Sequence, residues 1–215
     1  MANAEQGLSS LLSLAPVIPV VVIDDEAAAV PMARALVAGG LPVIEVTLRT
    51  PAGLSAIKRI ADEVPDAVVG AGTVLTRADV SAAVGAGSRF LVSPGCTPGL
   101  LESMLGSGVP VLPAAATASE VMALLERGLT HAKFFPAKPA GGVPYLKSLA
   151  GPLPMVRFCP TGGIDLASAP EFLALPNVVC VGGSWLTPAD AVASGDWDRI
   201  ERLARQASAL RDGGR

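Results

Sequence analysis

Hydrophobic positions along the chain switch repeatedly between two patterns. Short runs rich in Val and Ile alternate with longer segments in which Ala and Leu recur at helical spacing among charged residues. The first pattern predicts strands over 17–23, 42–48, 67–73, 89–93, 109–114, 131–135, 155–159 and 178–182. The second predicts helices over 25–38, 52–63, 77–86, 98–107, 118–128, 143–150, 166–174 and 189–193. A C-terminal helix follows over 196–210, and a short N-terminal one precedes the series over 5–14. Thr76, Thr97, Thr117 and Asp165 stand where N-caps belong, since their side-chain oxygens can accept from the free N–H groups of a first turn. Glycines within 38–40, 85–87, 106–108 and 127–129 mark helix ends. No linker or shift of composition interrupts the series, so residues 1–215 read as one domain.

Eight strand–helix units are the number that closes a parallel sheet on itself. The predicted fold is therefore α/β, a single (β/α)8 barrel with an extra N-terminal helix. The alternative is an open doubly wound sheet, which usually carries G-x-G-x-x-G after a strand. Here GAGT at 70–73 lacks the third glycine, and no such fingerprint occurs elsewhere. Hydrophobic residues make up 51% of the chain and aromatics only 4%, so the core is aliphatic, as strands buried on both faces require.

Charge narrows the function classes. A net charge of −3 provides no basic field for nucleic acid. The first 22 residues lack a basic leader region, and Pro16 and Pro19 interrupt their apolar run, which argues against a signal peptide or a membrane span. Cys96, Cys159 and Cys180 are odd in number and irregular in spacing. They read as small buried hydrophobes in a reducing cytoplasm rather than a disulfide framework.

Candidate chemistry lies in the polar residues inside strands, because an unpartnered buried polar group costs about 1–3 kcal/mol. In the second strand, period-two alternation puts Glu45, Thr47 and Arg49 on one face and Ile44, Val46 and Leu48 on the other. The polar face then points into the barrel and climbs toward its C-terminal mouth, where barrel enzymes keep their chemistry. A purely structural Glu45–Arg49 ion pair is the plainer alternative. In the sixth strand His131, Lys133 and Phe135 share a face. Lys58, Lys138 and Lys147 fall on helices or loops, whereas Lys133 is flanked by apolar residues. Desolvation disfavours the charged form of such a lysine, and Arg49 would add like-charge repulsion. Both favour the free amine that Schiff-base formation requires. The alternative is a lysine paired with Glu45 for structure alone. His131, the single histidine, lies deeper and reads as structural. One histidine without clustered carboxylates makes no catalytic metal site, so no metal is expected.

Two glycine loops close the last strands: Thr161-Gly162-Gly163 and Gly182-Gly183-Ser184. Loops at these ordinals in a barrel frequently hold phosphate on backbone N–H groups, aided by a following helix turn. Plain turns would also use such pairs. Thr73 and Pro94, in the loops after the third and fourth strands, could hydrogen-bond a carboxylate and shape the floor of a site.

With those residues named, the chain resembles the 2-keto-3-deoxy-6-phosphogluconate (KDPG) aldolase family, whose members often also accept 4-hydroxy-2-oxoglutarate (KHG). The matching pieces run in order from 19 to 188 and include IEVTLRT, VVGAGTVL, LVSPG, KFFPA and CPTGGI. The resemblance implies Lys133 as the Schiff-base lysine and Glu45 as the acid/base group. It implies that Arg49 and Thr73 hold a pyruvate carboxylate, with Pro94 and Phe135 beside the lysine. Thr161, Gly162, Gly163, Gly183 and Ser184 would take the distal hydroxyl and phosphate. It also implies a cofactor-free homotrimer of the cytoplasm acting on a phosphorylated keto acid in sugar-acid breakdown of the Entner–Doudoroff type. One departure stands out: Ala114 occupies a position where the family usually has glycine. A galactonate-derived substrate, a cofactor-free barrel isomerase or decarboxylase of phosphorylated sugars, and a non-catalytic sugar-phosphate binding module remain open from the residues alone.

Overall fold

The structure, a computed structural model, describes residues 2–210, with side chains from Glu5 onward. The one-domain reading of 1–215 therefore runs past the described residues at both ends. Helix α1 (Ala2–Leu12) leads into β1 (Val17–Val21), a 3-10 turn (Glu26–Ala28), α2 (Ala29–Ala38), β2 (Val43–Thr47), α3 (Gly53–Glu63) and β3 (Val68–Gly72). The alternation continues through α4 (Arg77–Gly85), β4 (Leu91–Val92), α5 (Pro98–Leu105), β5 (Val111–Leu112), α6 (Ala118–Leu125) and β6 (His131–Phe134). It ends with α7 (Gly142–Leu149), β7 (Arg157–Pro160), α8 (Ala169–Leu173), β8 (Val181–Gly183), α9 (Ala189–Ser194) and α10 (Trp197–Ser208).

All strand pairings are parallel. One sheet runs β5-β4-β3-β2-β1-β8 and a second pairs β6 with β7. Isolated bridges join them: Ala114 with Lys133 between β5 and β6, and Phe158 with Val178 and Thr161 with Gly182 between β7 and β8. The result is a curled parallel sheet under a helical layer. Its outer face packs Val17, Ile44, Val46, Val69, Ala132 and Phe134 against the helices in the main core. Its inner face carries the second cluster, in which Ile18, Val43, Phe90, Val92, Leu112, Cys159 and Cys180 meet Leu8, Leu11 and Leu12 of α1. Burying a leucine contributes about 1.5–3 kcal/mol, so three of them seat α1 firmly under the N-terminal end of the sheet.

Several boundaries move for local reasons. Expected strands of five and six residues shrink to two in β4 and β5. Prolines 94, 110 and 113 flank them, and a residue without N–H cannot continue a ladder. The predicted helix over 166–174 contracts to Ala169–Leu173, with Pro170 in its first turn. Asp165 is therefore not a helix N-cap. It caps the preceding turn, accepting from Ser168 N at 2.9 Å. The other three caps hold: Thr76, Thr97 and Thr117 accept from the N–H groups of Asp79, Leu100 and Glu120.

Candidate active site

Lys133 stands on the inner face of β6 with its backbone gripped by the segment that follows β5. Its N–H donates to Pro113 O at 3.0 Å, and its carbonyl accepts from Ala115 N at 2.9 Å. Glu45 lies on the inner face of β2, in register with Val20 on one side and Gly70 on the other. Both side chains rise from paired strands, so little freedom remains in their Cα positions. They meet across the interior: Lys133 Nζ donates to Glu45 Oε1 at 2.9 Å and lies 3.4 Å from Oε2. Their side chains are only 6% and 5% exposed. The same Nζ sits 5.5 Å from the centroid of the Phe135 ring, within cation–π range. A buried ion pair is a weak source of stability, because desolvation offsets its attraction. Its value here lies in a proton donor and a proton acceptor held in contact away from bulk water.

Arg49 does not lie on the strand face that alternation assigned to it. β2 ends at Thr47, and Arg49 is exposed in the turn that follows. From there its Nε donates to Thr73 Oγ1 at 3.2 Å, while Glu45 pairs with Lys133 rather than with Arg49. Thr47, the middle member of the predicted polar face, donates its hydroxyl to Val21 O and ties β2 to β1. Thr73 adopts φ 58°, the left-handed region that a β-branched residue rarely visits. Such backbone strain costs on the order of 1–3 kcal/mol and clusters at functional sites. Pro94 is half-buried in the bend after β4, at the same end of the sheet.

The last two loops join this end from the other side. Thr161 is buried and bridges Gly182, and Gly162 and Gly163 follow with φ 112° and 77°. The loop is tied to the segment after β6, where Ala137 N donates to Thr161 O and Lys138 N to Gly162 O. Gly183 ends β8 under the Trp185 ring, and Ser184 is exposed beside it. Neither loop runs directly into a helix, since α8 begins at Ala169 and α9 at Ala189. The expected help from a helix dipole is thus missing, and backbone N–H groups and the Ser184 hydroxyl are what these loops offer an anion.

Among the helices, a cleft of about 490 Å³ lies between α4 and α5, and one of about 290 Å³ between α5 and α6. Neither is lined by Lys133 or Glu45. Ala114 and Cys96 border the smaller one, and burial pushes the Cys96 thiol up to about 11. Cys159 and Cys180 are buried, and none of the three cysteines forms a disulfide among the described residues. Among the described residues no group of three His, Cys, Asp or Glu side chains could hold a metal ion, and no helix is long and apolar enough to cross a membrane.

The family model "KDPG and KHG aldolase" matches residues 8–203. The chain belongs to that family. It is 50% identical over 207 residues to the KHG/KDPG aldolase of Escherichia coli K12, covering 96% of this chain and 97% of that protein. Among solved structures it is similar to the KDPG aldolase of Legionella pneumophila, with a TM-score of 0.91, 46% identity, and coverage of 93% and 97% of the two chains. That crystal holds pyruvate, captured at low pH as a covalent carbinolamine intermediate. The Zymomonas mobilis ZM4 aldolase, solved with 3-phosphoglycerate, is 51% identical at a TM-score of 0.91, covering 96% and 97% of the two chains.

Two residues around the site escape sequence reasoning. Glu5 pairs with His131 Nδ1 at 2.8 Å, but 126 positions separate them. Gly72 lies against Glu45, and the only signal was the GAGT segment weighed for a nucleotide fingerprint.

Proposed function

We propose that this protein is a Schiff-base aldolase that cleaves 2-dehydro-3-deoxy-6-phosphogluconate to pyruvate and glyceraldehyde 3-phosphate, and that it also takes 4-hydroxy-2-oxoglutarate. The observation that carries this reading is the buried contact of 2.9 Å between Lys133 Nζ and Glu45 Oε1, in a chain of the KDPG and KHG aldolase family.

The steps follow from that contact. Glu45 takes a proton from the Lys133 ammonium, and the free amine adds to the 2-keto carbon, whose oxygen gains the proton that the nitrogen loses, giving a neutral carbinolamine. The protonated carboxyl then donates to the carbinolamine hydroxyl, which leaves as water and yields an iminium. The iminium draws the C3–C4 electrons as the C4 hydroxyl loses its proton to Glu45, so the aldehyde departs and an enamine of pyruvate remains. Glu45 returns a proton to C3, and water hydrolyses the imine to release pyruvate and the amine. Arg49 and Thr73, joined by their hydrogen bond, hold the substrate carboxylate. Pro94 and Phe135 pack beside the reacting carbon. Thr161, Gly162, Gly163, Gly183 and Ser184 bind the distal hydroxyl and phosphate. All of these chemical steps use side chains alone, without a cofactor.

The same reading extends to architecture. Joined through its bridges, the curled sheet is a closed (β/α)8 barrel forming one domain, with α1 as an added plug under its N-terminal end. The protein acts as a homotrimer in the cytoplasm, within sugar-acid breakdown of the Entner–Doudoroff type. Val22 and Leu75, 42% and 56% exposed just beyond β1 and β3, provide apolar surface for a subunit contact.

Borohydride reduction in the presence of pyruvate, followed by peptide mapping, tests the chemistry. The reduced adduct is expected on the peptide containing Lys133 and is expected to vanish in Lys133→Ala. An adduct on another lysine, or undiminished trapping in that variant, refutes the assignment.

A further inference from the structure

We infer that Gly72 is a positioning residue for the reaction: the space left by its missing side chain is the seat of the Glu45 carboxylate. The inference rests on the reading of Glu45 as the acid/base group. Glu45 is paired at its Cα with Gly70, yet its side chain leans along the strand to reach the level of Gly72. A methyl group on Gly72 would fall 2.2 Å from Glu45 Oε1, 2.6 Å from Cγ and 2.7 Å from Cδ. Carbon atoms in proteins do not approach so closely, so any side chain at position 72 expels the carboxylate from its present place.

The need for glycine here is one of space rather than of backbone. Gly72 is a strand residue and is not among the glycines with positive φ, so alanine could adopt its conformation. Glycine inside a strand weakens it and often marks a close approach by another group. One level below, Gly70 makes room for a different neighbour: a methyl there would meet the Phe90 ring at 2.4 Å. Thus the inner face of β3 gives its lower opening to a core ring and its upper opening to a carboxylate. Glu45 is only 4% exposed and has few other places to go. Displaced, it loses the contact of 2.9 Å with Lys133 Nζ through which protons pass.

A double-mutant cycle over wild type, Gly72→Ala, Glu45→Ala and the double variant tests this, with kcat, KM and melting temperature measured for each. Gly72→Ala is expected to lower kcat by about 10²-fold, the penalty typical of a misplacement near 1 Å, with KM changed much less. On the Glu45→Ala background, where no carboxylate remains to be displaced, the same change is expected to leave both kcat and melting temperature nearly unaltered. Equal losses on both backgrounds, or full activity of Gly72→Ala in the presence of Glu45, overturns the inference. Should Gly72→Ala fail to fold, the inference requires the double variant to fold, because the deleted side chain vacates the space the methyl needs; failure of both overturns it. Full turnover by Glu45→Ala alone would instead defeat the acid/base reading, an outcome distinct from these.

Discussion

Two buried basic side chains stand two residues apart on the inner face of β6, and each faces a carboxylate. Lys133 meets Glu45 at the C-terminal end, and His131 meets Glu5 nearer the N-terminal end. The partners differ in origin. Glu45 comes from β2, a strand paired on both sides, so the upper contact is between two rigid elements. Glu5 comes from α1, a helix held by apolar packing, and it accepts from His131 Nδ1 and Thr130 N at 2.8 Å each. The lower pair fastens one element to another. The upper pair joins two strands that are each already held in a ladder of their own. Neighbouring positions of one strand thus carry chemistry at one end and attachment at the other, and the element supplying the carboxylate tells them apart.

Variants that break one pair at a time sharpen this contrast. The largest effect is expected from Glu45→Gln, which keeps the shape but cannot shuttle protons. Its kcat should fall by about 10²–10⁴-fold, the range for a general acid–base group, with a small change in melting temperature. Steady-state kinetics beside thermal unfolding will show the split, and unchanged turnover would remove Glu45 from the mechanism. Glu5→Ala should do the reverse. It strands the donors of His131 and Thr130, at a cost of about 1–3 kcal/mol in stability, while kcat stays within a few-fold of wild type. A loss of turnover rivalling that of Glu45→Gln would collapse the distinction between the two ends.

The smallest effect is on the pH dependence of stability. Burial pushes the Glu5 carboxyl up, but hydrogen bonds from His131 and Thr130 outweigh it and hold the group below its ordinary 4.5. A carboxyl lowered in the folded state contributes stability in full above its ordinary value and loses it as the pH falls through the folded one. The part of the wild-type advantage over Glu5→Ala that comes from the Glu5 carboxylate should therefore be complete above 4.5 and shrink as the pH drops below it. Chemical denaturation across that range measures it; a gap that widens toward acid would contradict the sign.

Legibility followed the range of the interactions involved. Capping at Thr76, Thr97 and Thr117 depends on residues three positions on, so it could be read directly. Asp165 misled because Pro170 delays α8, leaving Asp165 to cap a turn rather than the helix. Lys133 and Glu45 announced themselves by being charged within apolar strands, where burial demands a partner. Arg49 was recognisable as a candidate but misplaced on a strand face, since β2 gives way to a turn at Leu48 and the reach to Thr73 is a loop-to-loop contact.

Amino-acid order alone determined the alternation of strand and helix, the inward direction of Glu45, Lys133 and His131, and the resemblance to one aldolase family. Those follow from period, local hydrogen bonding and motif, which are properties of neighbours in the chain. Tertiary structure alone decided that Glu45 pairs with Lys133 and not Arg49, that Glu5 answers His131, and that the bare Cα of Gly72 leaves room for a carboxylate. Each depends on where side chains from distant segments compete for one small volume, and packing in three dimensions is what allocates that space.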